Sequence, residues 1–283
     1  MDLNKLYASL LFQVAAYENA VEAQTLDELR ALKSSPDRHK LGFQSMLIRE
    51  RVLGKQNEKT ADIIKHNAAV YADDETFDKA ADLLFHVLEN LSDVHPFKSH
   101  TVDVYTLLVC FLSEGKDVAG PGAATFSHAL KSLQWTLSDF KRGEAEQCQS
   151  KPETVHTNRH NLLKIILQMI CLLQQIQGQA TPRERKELSE ALKAFVKTGV
   201  RSLKGDTLLH MACDADTTNF DTRREDPFTA FVFPVPEVVQ VLLDAGCDVN
   251  ARNEKGQTAL AVAREQKGDH SEIIRILAAA GSG

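Results

Sequence analysis

Three side chains in this 283-residue sequence are spaced as metal ligands could be: Cys148, His156 and His160. The two histidines stand at i and i+4, so a helix would carry both on one face. A structural zinc site takes four ligands, usually with a close cysteine pair, and no fourth cysteine or histidine lies near in sequence. No metal is therefore expected. Gly120-Pro-Gly122 begins like a dinucleotide loop, but it follows an apolar helical run rather than a strand and lacks the third glycine. Gly54-Lys55 lacks the upstream glycine of a phosphate loop. There is no G-x-S-x-G, no H-E-x-x-H, and no Asp/His/Ser set that sequence alone could join. Neither a catalytic residue nor a cofactor is expected, and the chain does not read as an enzyme.

The informative residues are structural. Asp248-Val-Asn-Ala-Arg-Asn-Glu-Lys-Gly-Gln-Thr-Ala-Leu260 has the form of the turn and first-helix start of an ankyrin repeat, a module that binds other proteins. Gly256 falls where the turn needs a positive φ, which a residue without Cβ adopts cheaply. Thr258 is placed to cap the helix through its hydroxyl. A second copy lies at Gly205-Asp-Thr-Leu-Leu-His210, and the outer helices Val238–Gly246 and Ile273–Gly281 answer each other. His210 is expected to hydrogen-bond within its own turn. Ala261 takes its place in the second repeat, which should lack that polar network.

Gly205 and Gly256 are 51 residues apart, against an ankyrin period of about 33. The excess of about 18 residues falls in Asp214–Phe233, which is either a binding loop or a spacer. Its composition offers few apolar contacts, so Thr217–Asp226 is expected to be dispensable for folding, with Phe220 and Phe228 as the residues that would pack if it were not.

Bulk properties exclude several classes. With 43% hydrophobic and 25% charged residues, the composition is that of a soluble globular protein of one large or two modest domains. A net charge of −6 without a basic block argues against nucleic acid, since phosphate binding needs clustered Lys and Arg. The five cysteines form no close pair, and Cys110, Cys171 and Cys213 lie in apolar runs, as buried thiols of a reducing compartment do. The start Met1-Asp-Leu-Asn-Lys has an acid before its first base, unlike a secretory signal. The longest apolar run, Leu162–Ile176, contains Lys164 and three glutamines, and is too short and polar for a bilayer.

Almost everything before residue 204 has helical periodicity. Thr25 with Glu28 forms a capping-box pattern ahead of Leu26, Leu29 and Leu32, and Gly54 closes a run from Leu41. Thr60–Tyr71 and Phe77–Leu91 make a hairpin with small Ala68 and Ala80 and aromatic Tyr71, a tetratricopeptide-like signature. Phe126, Leu130, Leu133, Leu137 and Phe140 form an amphipathic stripe read as core. Lys141–Thr157 reads as a loop, Leu162–Ile176 as the most buried helix, and Pro182 opens the next. The apolar face of Gly205–Cys213 is expected to dock on that next helix, Leu188–Val196, because two ankyrin repeats are too few to bury a core of their own.

The middle of the chain resembles the Fem (feminization) family. The residues that carry the resemblance are Tyr17-Glu-Asn19, Thr25-Leu-Asp-Glu-Leu29, Met46-Leu-Ile-Arg-Glu-Arg-Val-Leu-Gly54 and Ala68-Ala-Val-Tyr-Ala-Asp73. The likeness is close over about residues 15–100 and holds in outline over 160–281. It implies a substrate receptor of cullin–RING ubiquitin ligases, in which an N-terminal ankyrin array grips the substrate tail and a C-terminal motif docks on elongin and the cullin. The array would precede Met1 and the docking segment would follow Gly283. Leu167-x-x-x-Cys171 mimics part of such a docking box, but it falls in the helix expected to be most buried. No degron-pocket or elongin-contact residue carries over to this sequence.

The expected class is all-α: a tetratricopeptide-like helical region over 1–200, with its repeat at about 60–93, then an ankyrin pair over 201–283, as an α-solenoid. The expected function is a non-catalytic interaction scaffold, a truncated Fem-type ligase adaptor, with a general ankyrin scaffold unrelated to ubiquitin as the alternative. Partners are proteins, ligase components among them, with neither nucleic acid nor membrane. The location is cytoplasmic, with the nucleus also open. Expected partner contacts are Arg252, Asn253 and Glu254 at the turn tip and Arg223 and Arg224 in the insertion.

Overall fold

A computed structural model of the chain describes residues 15–146, 151–218 and 231–281. Among the described residues there are twelve α-helices and no strand, so the class is all-α. The ankyrin turns are turns and not laddered hairpins. The chain divides into two compact units: one runs to Val94 and takes in Asp117–Ala123, the other comprises His95–Lys116 and everything from Ala124. The compact units thus divide near residue 94, where the sequence led us to expect a boundary near residue 200.

The first unit begins with a 3-10 turn at Ala15–Tyr17, followed by α1 (Leu26–Lys33), α2 (His39–Leu53), α3 (Glu58–Asp73) and α4 (Phe77–Asn90). Thr25 caps α1 in a full capping box: its Oγ1 accepts from Glu28 N–H at 3.2 Å, and Glu28 Oε2 accepts from Thr25 N–H at 3.2 Å. The leucine stripe of α1 is not core, however, since none of its residues is buried and Leu26 is exposed. In the α3–α4 hairpin Ala68, Tyr71 and Ala80 are all buried, as close helix approach requires. His39 stacks on Tyr71 with ring centroids 3.8 Å apart.

The Gly-Pro-Gly loop has a structural task in this unit. The carbonyl of Gly122 accepts from the N–H groups of Phe77 at 2.8 Å and Asp78 at 3.2 Å. It thereby satisfies first-turn donors that the α4 helix leaves open. Gly122 has φ +91°, and a Cβ there would come within 2.8 Å of the Glu75 carbonyl. Only glycine fits.

Glu50 is the buried charge of the unit. Its Oε1 accepts from the Tyr17 hydroxyl at 2.7 Å and from Asn90 Nδ2 at 3.1 Å, and lies 2.6 Å from His86 Nε2. Burial pushes the carboxyl up, but the bonds from His86 and Tyr17 prevail and hold it below the usual carboxylate range.

In the second unit, α5 (Ser99–Glu114), α6 (Phe126–Ala145), α7 (Pro152–Gln175) and α8 (Pro182–Val196) lead into the ankyrin helices. These are α9 (Leu208–Ala212), α10 (Pro236–Asp244), α11 (Ala259–Glu265) and α12 (Ser271–Gly281). The α6 stripe is core throughout, and Gly143 lets α6 close on the Phe97 ring, where a Cβ would stand 2.7 Å away. Every residue of α7 from Asn161 to Leu173 is buried, each apolar one contributing about 1.5–3 kcal/mol. Helices α5 and α6 pack on α7, and so do α9 and α10. The ankyrin pair thus docks chiefly on α7, where α8 was expected. Helix α8 instead packs on α6, and its Phe195 and Val196 share with Leu208 the wall of a cleft of about 190 Å³. Helix α7 offers the larger apolar surface, with fourteen buried residues against three in α8.

Two expected outcomes follow. Gly122→Ala should lower stability more than Gly54→Ala, which has φ +90° but open space for a Cβ; urea unfolding should show about 1 kcal/mol for Gly54 from backbone strain and about 2–3 for Gly122. Equal losses would mean that Gly122 is not sterically required. Second, because Glu50 holds its proton less tightly folded than unfolded, its contribution is full above the ordinary carboxyl range and is lost as pH falls through the folded value. Unfolding midpoints from about pH 7 to pH 3 should therefore decline in the parent with a component that Glu50→Gln removes. Identical slopes for the two proteins would refute the coupling.

Candidate protein-binding surface

The two ankyrin turns are built alike, residue for residue. Arg201-Ser-Leu-Lys-Gly205-Asp-Thr207 corresponds to Arg252-Asn-Glu-Lys-Gly256-Gln-Thr258. Gly205 and Gly256 have φ +73° and +74°, as the spacing predicts. Arg201 donates to the Gly205 carbonyl at 2.8 Å, and Arg252 to that of Gly256 at 2.6 Å. Ser202 Oγ accepts from Lys204 and Asp206 N–H, and Asn253 Oδ1 accepts from Lys255 and Gln257 N–H, all at 3.0–3.1 Å. Thr207 and Thr258 then cap α9 and α11.

The turns are also joined to each other. Arg201 donates to the Arg252 carbonyl at 2.8 Å, Asn253 Nδ2 to Asp206 Oδ1 at 2.8 Å, and Glu254 N–H to the Lys204 carbonyl at 3.1 Å. A Cβ on Gly205 would stand 2.9 Å from Glu254 N, so the second glycine role at this position is closeness of approach. His210 does more than hold its own turn. Its Nδ1 accepts from Thr207 N–H at 3.3 Å, which leaves Nε2–H to donate to the Gln257 carbonyl of the next repeat at 2.8 Å. Ala261 has no such side chain, and the second turn instead ties back through Gln257 Nε2 to Glu265 at 2.7 Å.

Of the expected contact residues, Arg252 and Glu254 are exposed at the tip, while Asn253 is half-buried with both ends of its amide used in the turn network. Arg223 and Arg224 lie outside the described residues, as do Phe220 and Phe228. The ends of the insertion are another matter. Thr217, Thr218, Phe231 and Phe233 are all buried. Thr218 Oγ1 accepts from Phe233 N–H at 2.9 Å, closing the insertion at its base. From α7, Lys164 Nζ donates to the Asp216 carbonyl at 2.8 Å and Gln168 Nε2 to that of Phe231 at 3.2 Å. The stretch Thr217–Asp226, expected to be dispensable, therefore begins inside the core, because threonine hydroxyls satisfy the backbone there.

His156 and His160 lie on α7, and Cys148 lies outside the described residues. Burial, then the nearby Lys164 and Lys204, push His160 down to about 4. Among the described residues no group of three His, Cys, Asp or Glu could hold a metal, and no helix is long and apolar enough to cross a membrane.

An ankyrin-repeat family model matches residues 204–254. Over nearly all of its length the chain is similar to Fem-1 homologues: 29% identical to fem-1 homolog C of Danio rerio across 94% of this chain. It is 30% identical to fem-1 homolog A of Homo sapiens and of Rattus norvegicus, across 89% of this chain in both cases. The chain is a relative of the Fem-1 proteins. It spans 37% to 42% of the length of these Fem-1 homologues. The kinship and the ankyrin repeats together make it a repeat-based protein-interaction scaffold. Sequence reasoning missed the Arg201/Arg252 pair, although arginine four residues before glycine in both repeats is a legible signal.

His210→Ala should cost about 1–3 kcal/mol in chemical denaturation, since it strands a carbonyl and an N–H between repeats. Thr218→Val should cost about 1–2 kcal/mol by orphaning Phe233 N–H. A loss under about 0.5 kcal/mol for either would mean that water replaces the bond.

Proposed function

We propose that this chain acts as a Fem-type substrate-recognition or adaptor subunit of a cullin–RING ubiquitin ligase, working in the cytoplasm or nucleus and catalysing nothing itself. What carries the reading is the kinship to Fem-1 homologues across 94% of the chain. In this reading residues 1–200 are a helical body whose α3–α4 hairpin is tetratricopeptide-like, and 201–283 an ankyrin module with partner-facing tips. Arg252 and Glu254 touch the partner, and Asn253 keeps the turn rigid, so that little conformational freedom is lost on binding. The insertion carrying Arg223 and Arg224, held at its base by α7, is the second contact.

Affinity capture from cell extract tests the proposal. Tagged together with whatever sequence flanks it in its gene, the chain should recover elongins and a cullin, and Arg252→Glu with Glu254→Arg should reduce recovery of its ankyrin-bound partner several-fold without lowering the melting temperature. Recovery of other proteins with neither elongin nor cullin would sink the ligase reading and leave a scaffold of another pathway.

A further inference from the structure

Between Tyr17 and Ala23 the chain is held to the first unit as a peptide ligand is held to its receptor. Glu18 and Asn19 are left-handed, with φ +53° and +57°, and residues 20–24 belong to no helix. One side chain anchors the segment. Tyr17 is fully buried, its ring edge-on to His86 at 5.1 Å and stacked with Phe43 at 6.1 Å, its hydroxyl on Glu50.

Everything else is read by side chains of α2 and α4. Glu18 pairs with Lys79. Glu22 receives both Nε and an Nη of Arg51, at 2.9 and 2.8 Å. The buried Gln44 amide donates to the Val21 carbonyl at 2.9 Å and accepts from Ala23 N–H at 2.6 Å, the pairing a neighbouring strand would supply. Meanwhile Glu18, Asn19 and Gln24 are exposed, and Val21 is 50% exposed. A cleft of about 700 Å³ runs beside the segment, bounded by Val21, Leu32 and Phe43. One deep aromatic anchor within a rim of polar contacts is the make-up of a peptide interface; a core element would be held by broad apolar burial.

We propose that the α2/α4 groove is a recognition site for a non-helical peptide of a partner protein that turns after its tyrosine and bears acids at +1 and +5, and that Tyr17–Ala23 occupies it in cis as a strap the partner displaces. The tyrosine must be unmodified, because a phosphate would set a dianion against the Glu50 carboxylate in a buried pocket. Being tethered, the strap competes at an effective concentration on the order of millimolar. This assignment does not depend on the ligase reading.

The test uses the full chain and a fluorescent peptide, Tyr-Glu-Asn-Ala-Val-Glu-Ala-Gln, read by polarisation. Tyr17→Ala, verified as folded by circular dichroism, should bind it at least about tenfold more tightly than the parent does. Adding Arg51→Glu, an exposed change, should weaken that binding about tenfold, and the phosphotyrosine peptide should not bind. Absence of saturable binding to folded Tyr17→Ala, indifference to Arg51→Glu, or equal binding of the phosphopeptide each overturns the proposal. Should Tyr17→Ala not fold, Glu18→Ala with Glu22→Ala loosens the strap by its rim alone. Peptide binding should then rise, and no rise overturns the proposal. Parent dimers in light scattering that Tyr17→Ala or the rim variant abolishes would make the occupant a second copy and overturn the partner assignment.

Discussion

A helix that is apolar around its whole circumference must be covered on every side, and α7 imposes that demand on the second unit. From Asn161 to Leu173 every residue is buried. Neighbours have to be found for each face, and the rest of the unit is arranged as those neighbours: α5 and α6, and then the ankyrin helices α9 and α10. The same demand resolves the shortage of ankyrin repeats. Two repeats bury too little between themselves to persist, but with α7 as a third layer the stack gains the neighbour it lacks. Function follows from this support. An interaction surface made of turns needs a base that does not move, and the base is the most buried helix of the unit.

The few polar groups of α7 decide where the chain runs around it. A buried amide or ammonium without a partner costs more than the hydrogen bond returns, so Asn158, Lys164 and Gln168 each point at a backbone carbonyl. Asn158 takes that of Phe97 at 2.8 Å. Lys164 and Gln168 take Asp216 and Phe231, one near each end of the insertion. What looks in sequence like a blemish in an apolar helix is thus the clasp that fixes the entry and exit of an insertion into the repeat. Length beyond the clasp is then inexpensive, because loop closure entropy grows only logarithmically.

Local rules were legible and long-range debts were not. The caps at Thr25 and Thr258, the α6 stripe and the glycines of the two turns depend on residues within one turn of each other, and each stands where its spacing put it. The Gly-Pro-Gly loop was opaque because the donors it satisfies, Phe77 and Asp78, lie more than forty residues earlier. The docking of the ankyrin pair on α7 in preference to α8 was hidden for a related reason: both helices have apolar faces, and only the three-dimensional count of uncovered surface chooses between them. The leucines of α1 are a periodic stripe that packs only partly, with Leu29 and Leu32 half-buried and Leu26 exposed. Tyr17 and Glu50 meet from 33 positions apart, and nothing in their neighbourhoods in sequence announces it.

The ankyrin turns show how an interaction surface can be rigid and polar together. Each arginine that could be taken for a free recognition charge already donates to a carbonyl of its own turn, and Arg201 reaches across to the next. Ser202 and Asn253 consume the turn's own N–H groups, so the backbone at the tips has little left to offer a partner. In the proposed reading, recognition there comes from the outward surfaces of side chains already fixed in place, Arg252 and Glu254 above all. A fixed guanidinium loses little entropy on meeting a carboxylate, which favours discrimination by geometry over discrimination by charge alone. His210 extends that fixity from one repeat to the next, since rotation of one turn against the other would break its bond to the Gln257 carbonyl. The two tips are therefore held as one surface.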